Sequence, residues 1–217
     1  MVDYRNFRLR RLNTPEFSHL KLLSGWILYF TLYVLTECLI PSERCVSVSC
    51  FLDGLIPFCE WFVIPYVLWY LLVAGSVLYF ALYHLDSFRN LSVYIIITQI
   101  AAMSAYILFP TRQDLRPQIF PRENILTVIV GLLYRIDTNT NVCPSLHVAY
   151  SIGIASVWWK EKQSPPGIRC GILLFAILVC LSTVFIKQHS VLDGIAAIPL
   201  CLFAEWFVFY RKKRRRK

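Results

Sequence analysis

Charge is what this chain lacks most. Only 16% of its 217 residues are charged, against 57% hydrophobic and 15% aromatic. An ordinary soluble domain carries about a quarter charged residues, so this deficit excludes a single soluble domain of this length and makes lipid the expected solvent. The eight cysteines show neither CxxC spacing nor a Cys/His cluster, so no metal is expected. No other cofactor is expected. Cys38, Cys170, Cys180 and Cys201 fall in apolar runs, where a small buried thiol is ordinary. Repeats and low-complexity linkers are also missing, which favours one membrane-embedded domain over 1–217. No signal peptide is evident, because the first long apolar run has the length of a span and no small-residue cleavage site follows it.

What the chain does have is apolar length. Six runs stand out, at about 22–40, 62–83, 91–109, 145–159, 168–186 and 191–210. A helix needs about 20 mostly apolar residues to cross a hydrocarbon core of roughly 30 Å. The expected fold class is therefore all-α, a polytopic membrane protein with six transmembrane helices, the short fourth having its ends buried in protein. Sixteen Lys and Arg fall on one side of these six runs, seven of them in the tail 211–217. The other side holds only Arg44, Arg112, Arg116, Arg122, Arg135 and Lys187. The positive-inside rule makes both termini cytoplasmic and the long polar segment 110–144 exoplasmic, together with the link 187–190. The tail directly abuts the last apolar run, so it is read as a cytoplasmic anchor touching anionic lipid headgroups, not as a nucleic-acid binder. The expected location is a multi-pass position in a cell membrane, taken as bacterial, with the active site facing outward.

Histidine is sparse too, with four in all. Two of them, His147 and His189, stand at the starts of expected spans on the same exoplasmic face. Pro144 and Ser145 precede His147 and form a helix start, where a cap leaves N–H groups that attract phosphate. His189 and Asp193 are four residues apart, which places them on one helical face if the last helix begins near Gln188. A carboxylate on one ring nitrogen fixes the tautomer and frees the other nitrogen for attack. A second histidine can then protonate the leaving oxygen. Arg112, Arg116 and Lys187 are the cations available to hold a phosphoryl group.

Arg116-Pro117, then Pro144-Ser145-Leu146-His147, then the stretch from Ser182 through His189 to Asp193 follow one another in that order. They resemble the three signatures of the type 2 phosphatidic acid phosphatase superfamily: Lys-x6-Arg-Pro, Pro-Ser-x-His and Ser-Arg-x5-His-x3-Asp. The resemblance implies that His189 is the nucleophile, Asp193 its partner and His147 the acid, with Arg116 and Ser145 binding phosphate. Phe109 and Thr183 stand where the family patterns have lysine and arginine, so Arg112 and Lys187 are the expected replacements. The stretch Ser182 to His189 is similar to the branch that includes inositol phosphorylceramide synthases.

The implied chemistry is attack by His189 on a lipid phosphate or diphosphate, followed by release of the phosphohistidine to an acceptor. Water as acceptor makes a lipid phosphate phosphatase. A lipid or polyol makes a phosphotransferase. A non-catalytic transporter or scaffold is the third reading. Asp53 and Glu60 are expected to order the first exoplasmic loop, Arg122 and Arg135 to be solvated, and Trp61, Trp158 and Trp159 to lie in an interfacial belt. Glu37 is left between a structural hydrogen bond and a functional role. His19 and His84 are expected to be non-catalytic.

Overall fold

A computed structural model describes residues 4–211; the rest of the basic tail, 212–217, lies outside the described residues. Among the described residues the regular structure is helical apart from one pair of two-residue strands. The helices are α1 Ser24–Leu39, α2 Phe51–Leu55, α3 Val63–Tyr83, α4 Leu85–Leu108, α5 Ile125–Ile136, α6 Leu146–Lys160, α7 Pro166–Phe185 and α8 Val191–Glu205. A π-helical turn, Trp206–Tyr210, continues α8. The strands β1 Val46–Ser47 and β2 Thr111–Arg112 pair in parallel.

Among the described residues, five helical stretches are long and apolar enough to cross a membrane: Ser18–Leu39, Glu60–Tyr83, Leu85–Leu108, Pro166–Phe185 and Val191–Tyr210. This is the make-up of a multi-pass membrane protein. The fourth apolar run forms α6, only 15 residues long, which at 1.5 Å per residue is about 22 Å. α6 is the hub of the bundle. It packs against α3, α4, α7 and α8, and Ala149, Tyr150 and Ile154 are sealed inside the core. Gly153 makes the closest of these contacts possible, since a Cβ there would overlap the ring of Tyr94 on α4.

The outer surface is apolar, as expected of a chain solvated by lipid. Leu71 and Leu78 on α3 and Leu174 on α7 are each 60% or more exposed. Polar side chains lie inside instead, where Thr98, Ser151 and Ser182 donate to backbone carbonyls of their own helices. Trp158 departs from the belt expected of it. It is buried, and its indole N–H donates to Ser76 on α3 at 3.0 Å. Trp61 and Trp159 are exposed.

The segment 110–144, expected to be polar loop, contains α5, an amphipathic helix capped by Asn124, whose side chain accepts from the N–H groups of Leu126 and Thr127. The β1–β2 pair, α2, α5 and the 187–190 link gather at one end of the bundle. At the other end Glu161 accepts from Ser87 and lies 3.4 Å from His84, while Lys160 pairs with Glu205. His19 is buried and hydrogen-bonded to Tyr4.

Candidate active site

The site is assembled by two helix starts facing each other. Ser145 caps α6, accepting from the N–H of Val148, and its own N–H donates to the carbonyl of Asp193 at 3.0 Å. That single backbone bond fixes the start of α6 to the first turn of α8. Tyr106 on α4 adds a second tie, donating to the Pro144 carbonyl at 2.7 Å. The Cys143–Pro144 peptide is cis.

α8 begins at Val191, not near Gln188, because Ser190 is extended and serves as the cap. His189 therefore lies just before the helix instead of on its face. The pair with Asp193 forms all the same: Asp193 sits at the third helical position, where its Oδ2 accepts from the Ser190 N–H at 2.9 Å and lies 3.2 Å from His189 Nδ1. A capping box and a histidine–carboxylate pair share one carboxylate. Asp193 is fully buried. With Nδ1 occupied, His189 presents Nε2, which lies 3.4 Å from His147 Nδ1. The His147 ring is held between Tyr66 and Trp69, at 4.5 and 4.2 Å between centroids.

The expected cations are arranged differently. Arg116 is half-buried and donates to the carbonyls of Tyr134, Asp137 and Thr138 and to Gln188 Oε1, the last at 2.6 Å, with its guanidinium over the Tyr134 ring. Burial lowers its pKa. Gln188 in turn donates to Asp137 Oδ2, which also accepts from Tyr66. Arg116 is thus one residue away from His189, tied to it through Gln188. Lys187 is buried, with its ammonium on the carbonyls of Asp53 and Ile56. Burial pulls its pKa down, opposed by the charge of Asp53. Arg112 reaches Asp114 and the Ser42 carbonyl. The structure therefore brings together His189, Asp193, His147 and Ser145, sets Arg116 behind Gln188, and turns Arg112 and Lys187 to other segments.

Asp53 has a larger part than ordering its own loop. It is buried, and its carboxylate accepts from the Cys50 N–H, the Ser190 hydroxyl and the Val191 N–H at 2.7, 2.7 and 2.8 Å. Burial alone raises a carboxyl pKa, but these donors outweigh it and hold Asp53 below its ordinary value. Glu37 accepts from Thr138, Thr140 and Asn141 and so ties α1 to the loop before Ser145. Glu60 takes Asn124 and Arg122, while Arg135 is exposed. Cys45, Cys50, Cys59 and Cys143 are all free thiols. Burial pushes the Cys143 thiol up to about 11.

Both histidines open onto a cavity of about 640 Å³ between α1, α3 and the loop before α6. Asp137 and Gln188 line its polar end; Tyr29, Trp69 and Val77 are among the residues lining the rest. No protein-family model matches the chain, and neither a curated protein nor a solved structure matches it.

Proposed function

We propose that this protein is a membrane-embedded lipid phosphate phosphatase of the histidine-nucleophile kind, as the resemblance to the type 2 phosphatidic acid phosphatase superfamily implies. The observation that carries the reading is the chain of contacts Asp193 Oδ2, His189 Nδ1, His189 Nε2, His147 Nδ1 at the mouth of a cavity. Asp193 accepts a hydrogen bond from the Nδ1–H of His189, which fixes the tautomer and leaves the Nε2 lone pair free. The phosphorus enters between the two imidazoles. His189 Nε2 forms the new bond to phosphorus as the bond to the leaving oxygen breaks, and His147 delivers its proton to that oxygen. Neutral His147 then takes a proton from water as the water attacks the phosphohistidine. Phosphate is released and both rings return to their starting state.

Leu146 and His147 line the cavity, and their amides in the first turn of α6 have no intrahelical acceptor. These amides and the positive end of α6 meet the phosphoryl oxygens. Arg116 adds positive charge from behind Gln188, to which it donates. In this reading α6 is a sixth span, short because its ends are covered by protein. Both termini are cytoplasmic and the site is exoplasmic. A cysteine introduced at Ile119, which is 85% exposed, should label from outside intact cells; protection there contradicts the orientation. Cys143 is a poor reporter, because its raised pKa leaves little thiolate.

The activity is tested with purified protein in detergent, by phosphate release from phosphatidate, lysophosphatidate and polyprenyl diphosphate, with and without added alcohols. Release without an acceptor is expected, and His189→Ala must lose it while remaining folded. Turnover that requires an alcohol turns the assignment to a phosphotransferase. Turnover retained by His189→Ala refutes the mechanism.

A further inference from the structure

At the end of the bundle that holds the histidines, α5 has an apolar face with no protein on it. The helix is 12 residues long, about 18 Å at 1.5 Å per residue, too short to cross a hydrocarbon core of roughly 30 Å. Arg135 is its only charged residue. Thr127, Val130 and Leu133 turn toward the protein, where Val130 and Leu133 pack with Val63 and Tyr66 in the first turns of α3. Successive residues turn by about 100°, so the opposite side carries Ile125, Val128, Ile129, Leu132 and Ile136. These five are 75, 61, 36, 51 and 83% exposed.

Contiguous exposed apolar patches mark surfaces that meet a partner or a membrane. At the same level, the outer side of the spanning stretch Glu60–Tyr83 is formed by Trp61, Ile64, Val67 and Leu68, all exposed, so the patch on α5 continues a lipid-facing surface. Arg135 lies at the edge of the patch, one turn after Leu132, and among the described residues it makes no hydrogen bond or ion pair. Arg122, just before the Asn124 cap, keeps its side chain 70% exposed although it reaches Glu60. Both arginines line a groove of about 420 Å³ beside the patch. Cations at the rim of an apolar helix face suit the phosphates of lipid headgroups. A second copy docked through the same face would set two Arg135 side chains together, with no carboxylate on either α5 to pair them.

We propose that α5 is an in-plane membrane helix. Its Ile125, Val128, Leu132 and Ile136 face lies in the lipid leaflet at the histidine end of the bundle, with Arg122 and Arg135 among the headgroups. The helix carries the Tyr134 carbonyl and ends on Asp137, and the carbonyls of both residues hold Arg116. The leaflet therefore steadies the segment to which that arginine is tied. Lipid contact of this kind is independent of the reaction catalysed and of the side of the membrane on which the site lies.

The test places an environment-sensitive fluorescent amino acid at Val128 or at Leu132 of the full chain, in nanodiscs of phosphatidylcholine and phosphatidylglycerol. The acyl chains are then exchanged for brominated ones, which quench on contact. Leu174, exposed on the spanning helix α7, is the lipid control, and Gln163, exposed in the link between α6 and α7, is the water control. Bromination should lower the emission at Val128 and at Leu132 at least twofold, as at Leu174, and leave Gln163 unchanged. Quenching below twofold at either α5 position overturns the proposal. Blue-shifted emission that bromination leaves unquenched, together with cross-linking between two copies of the chain, overturns it in favour of a protein on that face. Both probes replace exposed side chains, and Ile125 takes the place of either position if its variant does not fold.

Discussion

Replacing Asp53 by alanine removes one acceptor from three donors at once: the Cys50 N–H, the Ser190 hydroxyl and the Val191 N–H. Two of these belong to the start of α8, immediately after His189. Bonds to a charged group contribute roughly 1.5 to 3 kcal/mol each, which sets the upper limit. Part of that is offset, because a buried carboxylate no longer has to be stripped of water, at several kcal/mol per ion. A net loss of about 3 kcal/mol of stability is expected, or a fall in melting temperature of about 6 to 12 °C for a chain of this size. The effect on catalysis should be separable. Without Asp53 the α8 start is free to shift, and a displacement of about 1 Å costs on the order of 100-fold in rate. The assay is thermal unfolding in detergent together with kcat and KM well below the melting temperature, on Asp53→Ala and Asp53→Asn. The asparagine keeps one acceptor oxygen and should fall between alanine and wild type in both. The pH dependence has a definite sign. The folded pKa of Asp53 is lowered, so its stabilisation is fully present above the unfolded value of about 3.9 and disappears as pH drops through the folded one. Wild type should lose part of its margin over Asp53→Ala below about pH 4. A folded Asp53→Ala protein with wild-type kcat refutes the positioning role.

Two further substitutions probe the hub and the histidine pair. Asp193→Asn keeps the shape but removes the charge that holds the His189 tautomer, so kcat should fall by about 100-fold or more, read by steady-state phosphate release with little change in KM. Gly153→Ala drives a methyl group into the Tyr94 ring and should destabilise by about 1 to 3 kcal/mol; Gly75→Ala, which meets nothing inside α3, should not lower the melting temperature and can raise stability by up to about 1 kcal/mol.

The long helices were legible because runs of apolar residues of span length admit few alternatives. The His189–Asp193 pair was legible from spacing alone, even though the helix begins three residues later than that spacing assumed, because a cap at Ser190 returns the carboxylate to the same place. α5 was missed within a segment read as polar, although Asn124 followed by Ile-Leu-x-Val-Ile-Val is a cap before an amphipathic run. The partners of the cations were not legible. Lys187 and Arg116 end on backbone carbonyls of Asp53, Ile56, Tyr134, Asp137 and Thr138, and carbonyls carry no sequence signal. The role of Asp53 was hidden for a related reason, since its partners lie 137 and 138 positions away.

The central claim is that a phosphoryl group is transferred to His189. Rapid quenching of the enzyme with a phosphorus-radiolabelled lipid phosphate should leave one label, stable to base and labile to acid, on the peptide that contains His189, and none on His189→Ala. Label on any other residue, or undiminished turnover by a folded His189→Ala protein, contradicts the account.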